Sequence, residues 1–285
     1  MVFAIIPPVS YVDGEGQSMT ILFTHDIHDN FYPFAVEENG QIRKLGGYAR
    51  LSSAIQRERE KDPNLLLVDP GDFSMGTLFQ TIFATDAPQL RTLGKMNYDV
   101  VTFGNHEFDF RAEGLANSLN AAKSSGDKLP KIVASNIHFP LSENGELTPS
   151  LGNLKDAMKN YGVEDYTVIE KNGIKIGVFG LMGKEADSNA PMSEVEFTDQ
   201  VKAAREMVEI LEDKEKVDLI VCLSHSGTEE NSSKSEDEIL AKKVPEIDII
   251  ISGHSHTTLE EPIIVGDTII GSGGCYGKNL GVINV

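Results

Sequence analysis

Five short apolar runs, each ending in a turn that carries aspartate, asparagine or histidine, constrain this chain more than any other feature. The runs are Ile21-Leu22-Phe23, Leu65-Leu66-Leu67-Val68, Val100-Val101-Thr102-Phe103, Val221-Cys222-Leu223 and Ile249-Ile250-Ile251. Runs this short and this apolar read as buried strands. Helical periodicity separates them, over Leu45–Glu60, Phe79–Leu93, Arg111–Lys123, Asp199–Asp213 and Glu236–Lys243. Strand alternating with helix predicts alternating α/β units that pass into hairpins. Further strands are expected at Lys131–Ala134, Ile263–Val265, Thr268–Ile270 and Leu280–Val285, with a short helix near Leu154–Asn160. Asn172-Gly173, between the apolar runs Tyr166–Glu170 and Ile174–Phe179, predicts a tight hairpin. Two stacked sheets with helices outside satisfy the whole pattern.

At 285 residues the chain is near the size at which one core stops growing, and one large domain is expected. Its formal charge of −19 disfavours nucleic acid polymers and anionic membrane surfaces as partners. A phosphate-handling site in such a chain needs local positive charge, which metal ions supply. Cys222 lies in an apolar run and reads as a small buried hydrophobe; Cys275 lies among glycines, and nothing demands that the two pair. Met1 to Ser10 is apolar but carries no basic residue, so it makes a poor signal peptide. Residues 1–19 are read as an amino-terminal extension, such as the remnant of a leader would leave, and 20–285 as the folded domain. The chain stops inside an apparent strand, which leads us to expect a truncated piece of a longer protein.

Six of the seven histidines fall in or beside the five turns, and only His138 does not. Ligands of open α/β sheets gather beyond the carboxyl ends of strands, where loops bring distant residues together. Asp26 and His28 follow the first run, Asp72 the second, Asn105 and His106 the third, His225 the fourth, His254 and His256 the fifth. Asp26 and His28 are two apart, as are His254 and His256; extended backbone would turn each pair to one side. Imidazole, carboxylate and amide oxygen suit borderline divalent ions such as zinc, iron or manganese. Seven candidate ligands (Asp26, His28, Asp72, Asn105, His225, His254 and His256) exceed the need of one ion and suit two, with Asp72 in the middle as the bridge.

His106 is adjacent to a proposed ligand and is expected to face the substrate as a proton donor to the leaving oxygen. Asp109, three residues on, is expected to orient its ring. Gly71, Gly104 and Gly253 each precede a proposed ligand, where close backbone approach is useful. Blander readings compete: aspartate and asparagine form turns, and a lone histidine is usually structural. Convergence of all the turns outweighs them jointly. His25 is expected to pack behind Asp26, His138 to be structural, and Phe79, Phe83 and Phe110 to be core.

The segments Asp26-Ile27-His28, Gly71-Asp72, Gly104-Asn105-His106-Glu107-Phe108-Asp109, Ser224-His225 and Gly253-His254-Ser255-His256 together resemble the calcineurin-type metallophosphoesterases. The resemblance runs from about Thr20 to the end and is greatest to the amino-terminal catalytic domain of the 5′-nucleotidase and 2′,3′-cyclic-nucleotide phosphodiesterase family. It implies a four-layered α/β/β/α sandwich of two mixed sheets with outer helices. It implies one metal on Asp26, His28, Asp72 and His256, and another on Asp72, Asn105, His225 and His254. His106, paired with Asp109, takes the catalytic role. The last ligand varies in this family between glutamine and histidine, and after His28 this chain has Asp29 where many members have glycine. Asp29 would add charge near the mouth or cap a turn.

The expected activity is hydrolysis of phosphate esters, 5′-nucleotides above all, by a hydroxide activated between two divalent ions (Mn, Zn or Fe, with Mg an option). Cyclic-nucleotide phosphodiesterase or nucleotide pyrophosphatase activity is the enzymatic alternative. A metal-bound nucleotide-binding or sensor protein is the alternative without turnover. The resemblance also implies a carboxyl-terminal domain that grips the nucleotide, absent from this chain, and an extracellular, cell-surface or periplasmic full-length protein.

Overall fold

The structure, a computed structural model, describes residues 18–38 and 40–285. The amino-terminal segment read as a leader remnant lies outside the described residues. Met19 is already part of the core, and its backbone pairs with Val285 at 2.9 Å in both directions.

Two sheets form the centre. In the first, the strands run in the order Gly281–Asn284, Thr20–Phe23, Leu66–Asp69, Val100–Val101 and Lys131–Ile132. All neighbours there are parallel except the pair joining Gly281–Asn284 to Thr20–Phe23. In the second, the order is Ile263–Val265, Thr268–Gly271, Ile249–Ser252, Leu219–His225, Ile174–Met182 and Tyr166–Lys171. Its four inner strands are parallel and its two edge pairings antiparallel.

Alternation along each strand builds the layers. Ile21, Phe23, Leu66 and Val68 face Val178, Val221, Leu223, Ile249 and Ile251 in a core between the sheets. The intervening Leu22, Leu67 and Val101 pack outward on the helices Tyr48–Lys61, Pro88–Lys95, Arg111–Ser124 and Pro149–Tyr161. Ile220, Cys222 and Ile250 pack outward on Gln200–Glu209 and Glu236–Lys243. The result is the four-layered α/β/β/α sandwich. Strands buried on both faces are continuous apolar runs, which is why they stood out in the sequence.

Several boundaries moved. The expected helix over Phe79–Leu93 is three pieces, a 3-10 turn Leu78–Ile82, a short helix Phe83–Asp86 and a helix Pro88–Lys95. Pro88 starts the last piece, and Ala87 ahead of it takes φ 45° and breaks the run. The helix expected near Leu154–Asn160 extends to Pro149–Tyr161, with Thr148 accepting from Leu151 N at its start. Asn172 and Gly173 take φ 52° and 79°, as a two-residue hairpin requires. An exposed hairpin, Phe34–Glu38 with Gln41–Leu45, was not foreseen. Both cysteines are free and buried, so no pairing occurs. Among the described residues no helix is long and apolar enough to cross a membrane.

Candidate metal centre

The five turns meet at one end of the sandwich. Loop pairs with loop: Asp26 N donates to Gly71 O and His28 N to Asp72 O, each at 3.0 Å, and Gly253 N donates to Ser224 O at 2.9 Å. The first two bonds tie the turns of one sheet together, the third those of the other.

Extended backbone is not what aims the paired ligands. Asp26, His28, Asp72, His254 and His256 have φ of 49°, 48°, 53°, 68° and 54°, all left-handed. That region costs a non-glycine residue of order 1 kcal/mol or more, and it persists where surrounding contacts over-determine it. His106 likewise sits in a 3-10 turn, Asn105–Phe108, and not in an extended one. Two glycines make the crossing possible. A Cβ on Gly71 would run into the backbone of Gly104, and a Cβ on Gly104 would strike the Asp72 carboxylate and the His225 ring. Gly253 has no such conflict as severe.

Each buried ring is anchored by one nitrogen and presents the other. His225 Nδ1 donates to Pro70 O at 2.9 Å, which leaves Nε2 3.1 Å from Asn105 Oδ1 and 3.2 Å from Asp72 Oδ2. His28 Nδ1 donates to Met75 O at 2.9 Å, which leaves Nε2 2.9 Å from His256 Nε2. His254 Nδ1 lies 3.0 Å from Asn105 Oδ1, and His256 Nε2 lies 3.3 Å from Asp26 Oδ1. Fixing one ring nitrogen on a carbonyl is how proteins aim the other at a metal.

Ligand-capable atoms of Asp26, His28 and His256 all lie within 4.8 Å of one another, as do those of Asp72, His225 and His254. A third overlapping group joins His106 to His28 and Asp72, so His106 borders the cluster more closely than its separate role implied. Asp26 Oδ1 is buried with no hydrogen-bond partner, and a carboxylate oxygen so placed calls for a cation. Orphaned oxygen, inward lone pairs and mixed N and O donors together fit two divalent ions.

Electrostatics agree. Burial raises the Asp26 carboxyl, but His25 and His256 more than reverse this and hold it well below 3.8. Burial likewise raises Asp72, and His225 brings it below the ordinary value. Burial lowers His225, yet Asp72 and Asp26 carry it up to about 9. Burial and the charge of His225 bring His254 down to about 4, whereas the contact with Asp26 lifts His256 to about 10. The protons here are held by the acceptors that cations would otherwise satisfy.

Supporting residues complete the site. His25 accepts from Gly273 N at 2.8 Å on Nε2, so its Nδ1 carries the proton donated to Asp26 Oδ2 at 2.5 Å, behind the cluster as expected. His106 Nδ1 meets Asp109 Oδ2 at 2.9 Å, and its backbone N–H donates to Asp72 Oδ1 at 2.9 Å. Glu107, whose sequence position suggests hydrogen bonding to nearby backbone and no chemistry, ties the second turn to the third. Its two oxygens accept from Asp72 N at 2.9 Å, Gly104 N at 2.7 Å, Ser74 N at 3.0 Å and Ser74 Oγ at 2.8 Å. Burial and the Asp72 charge push Glu107 up to about 8, and the Gly104 and Ser74 donors oppose the rise. Asp29 is not exposed at a mouth: it is buried, takes a hydrogen bond from Gln89, and is raised to about 6 by burial. His138 is exposed in a short strand pairing with Glu196, away from the cluster. Phe83 is core, but Phe110 is 43% exposed, which corrects its placement there.

Two ligand groups side by side at the strand ends of such a sandwich have the layout of a binuclear metallohydrolase. The family model described as calcineurin-like phosphoesterase matches residues 19–258, and the chain belongs to that family. It is 29% identical over 282 residues to the trifunctional nucleotide phosphoesterase protein YfkN of Bacillus subtilis, covering 94% of this chain and 18% of that protein. It is 32% identical over 246 residues to the 5′-nucleotidase of Homo sapiens, covering 85% of this chain and 38% of that protein. Its structure is similar to that of a 5′-nucleotidase precursor from Thermus thermophilus, with TM-score 0.76, 25% identity, and coverage of 94% and 51% of the two chains. The chain therefore spans well under half the length of these two curated relatives.

Proposed function

We propose that this chain hydrolyses phosphate esters of nucleotides, using two divalent cations held by Asp26, His28, Asp72, Asn105, His225, His254 and His256. The observation that carries this reading is the meeting of Asp26, His28 and His256 in one ligand group and of Asp72, His225 and His254 in another, with Asn105 Oδ1 3.1 Å from His225 Nε2. The names of the relatives support the nucleotide part. Imidazole mixed with carboxylate favours manganese, zinc or iron. Such a pair of cations supplies positive charge for the phosphoryl oxygens and lowers the pKa of water.

The protein's own groups do the rest. Asp72 Oδ2 lies 3.2 Å from His225 Nε2 and 3.8 Å from His28 Nε2, between the two ligand groups, and is the residue that would serve both cations. His106 Nδ1 is occupied by Asp109, so Nε2 is the atom offered to the leaving oxygen. Burial lowers the proton affinity of His106, but Asp109, with Asp72, raises it above the ordinary value. That contact favours the protonated ring, the form able to deliver a proton as the ester bond breaks.

Elemental analysis and turnover test this together. Two divalent cations per chain are expected, with activity lost on chelation and restored by manganese, zinc or iron. Folded chain that takes up both cations yet cleaves neither nucleotides nor aryl phosphates overturns the reading.

A further inference from the structure

Beside the cluster lies a cavity of about 360 Å³, lined by His28, His106 and His256 and by Asn30, Phe34, Met75 and Tyr276. That volume is in the range of pockets that hold small ligands. His106 borders it, so a leaving group that takes its proton from His106 must occupy this cavity. Its apolar side is built. The Tyr276 ring lies 5.6 Å from His28, 5.4 Å from His256 and 6.2 Å from Phe34, which continues the aromatic surface outward from the ligands. Tyr276 is held in place at φ 63° by its backbone N–H, which donates to Asp26 O at 2.7 Å. Gly46 lets the rings meet: a Cβ there would lie 2.7 Å from both the Phe34 ring and the Tyr276 carbonyl. Lys278 Nζ sits 5.0 Å from the Tyr276 ring centre and 5.9 Å from that of Phe34. It places a cation against both rings in a chain of net charge −19, a local attraction for an anionic ester.

We propose that Phe34 and Tyr276 form a stacking wall for the leaving group, so that this chain by itself selects esters whose leaving alcohol carries a flat aromatic ring. The proposal rests on phosphoester hydrolysis at the neighbouring cluster for its turnover test, but binding to the wall can be read without turnover. Aromatic rings attract flat rings in offset or edge arrangements; Phe34 and Tyr276 stand at 85° to each other, so a flat ring stacked on one meets the other edge-on.

Adenosine 5′-monophosphate and ribose 5-phosphate release the same kind of primary alkoxide and differ in the aromatic base. With both cations bound, the full chain is expected to favour the nucleotide about 10-fold in kcat/KM, mostly through KM. Phe34→Leu, and Phe34→Met as a second ring-less variant, bring that ratio to about 2 or less, while Phe34→Tyr keeps it. Adenosine, which has no phosphate, reports the wall by calorimetry: its Kd rises about 10-fold in Phe34→Leu and stays near the original in Phe34→Tyr. Equal use of both esters, or a preference and an adenosine affinity that survive loss of the ring, overturns the wall and leaves hydrolysis standing. Adenosine binding that depends on the ring, in a chain with both cations that cleaves neither ester, sustains the wall and overturns the proposed hydrolysis. Failure of both cleavage and adenosine binding overturns both.

Discussion

The two halves of the cluster differ in how they meet water. His225 and Asn105 are 0% and 1% exposed, and the His225 ring is locked on the Pro70 carbonyl between the two sheets. The His256 side chain is 35% exposed and opens with His28 and Tyr276 onto the substrate cavity. The inner half is set by packing of the sandwich, and losing a member leaves a hole in the fold. His256, alone of the outer group, reaches toward solvent, and its side of the cluster can exchange ions and admit ligands. Burial, more than ligand identity, separates assembly from access.

Asp72 belongs to both halves, so its loss should erase the distinction. Asp72→Ala is expected to lower kcat/KM by on the order of 10⁴ and to leave at most one cation per chain. Retention of both cations in that variant breaks the comparison at its centre. His106→Ala touches neither anchor. It should cut kcat by about 10²–10⁴ with both cations retained by elemental analysis. Parallel loss of metal would make His106 a ligand, as its place beside His28 and Asp72 permits.

The sharpest contrast is His225→Ala against His256→Ala. The inner substitution should weaken cation binding in equilibrium dialysis and also lower the urea midpoint, through a cavity worth about 2–4 kcal/mol. The outer one should weaken one cation about 10–100-fold and leave the midpoint of the metal-free chain close to the original. Equal midpoints in the two variants would end the argument from burial.

The smallest effect lies behind the inner half. Asp237 is buried, accepts from Ser224 Oγ at 2.5 Å, and is raised by burial from 3.8 to about 7. The unfolded chain loses this proton near 3.8 and the folded chain only near 7, so the folded state binds more protons in between. Stability from this group is therefore full below about pH 4, falls as pH rises to about 7, and is flat above, a change of about 2–4 kcal/mol. Asp237→Asn should flatten that slope in urea midpoints taken from about pH 5 to 8; an unchanged slope refutes the assignment.

Legibility followed burial as well. The strands Leu66–Asp69, Leu219–His225 and Ile249–Ser252 are buried at every position, and their apolar runs announced them. The hairpin Phe34–Leu45 escaped notice because most of it faces solvent, with Ile42 78% exposed, so selection for a buried face left no alternating pattern there. With it went Phe34, and half of the proposed wall. Glu107 was legible only as a hydrogen-bond partner of nearby backbone: a carboxylate that ties two turns together looks, in a sequence, like any acidic turn residue.

Residue order alone determined the alternating α/β build and the strand ends at which histidine, aspartate and asparagine would collect. Those facts follow from local periodicity and from the chemistry of the side chains. Only the packed sandwich decided that five turns up to 230 residues apart would share one site. It also decided that left-handed backbone, not extended backbone, would aim Asp26, His28, His254 and His256, and which ring nitrogens would be anchored. Contacts between turns set those conformations, and no local propensity encodes them.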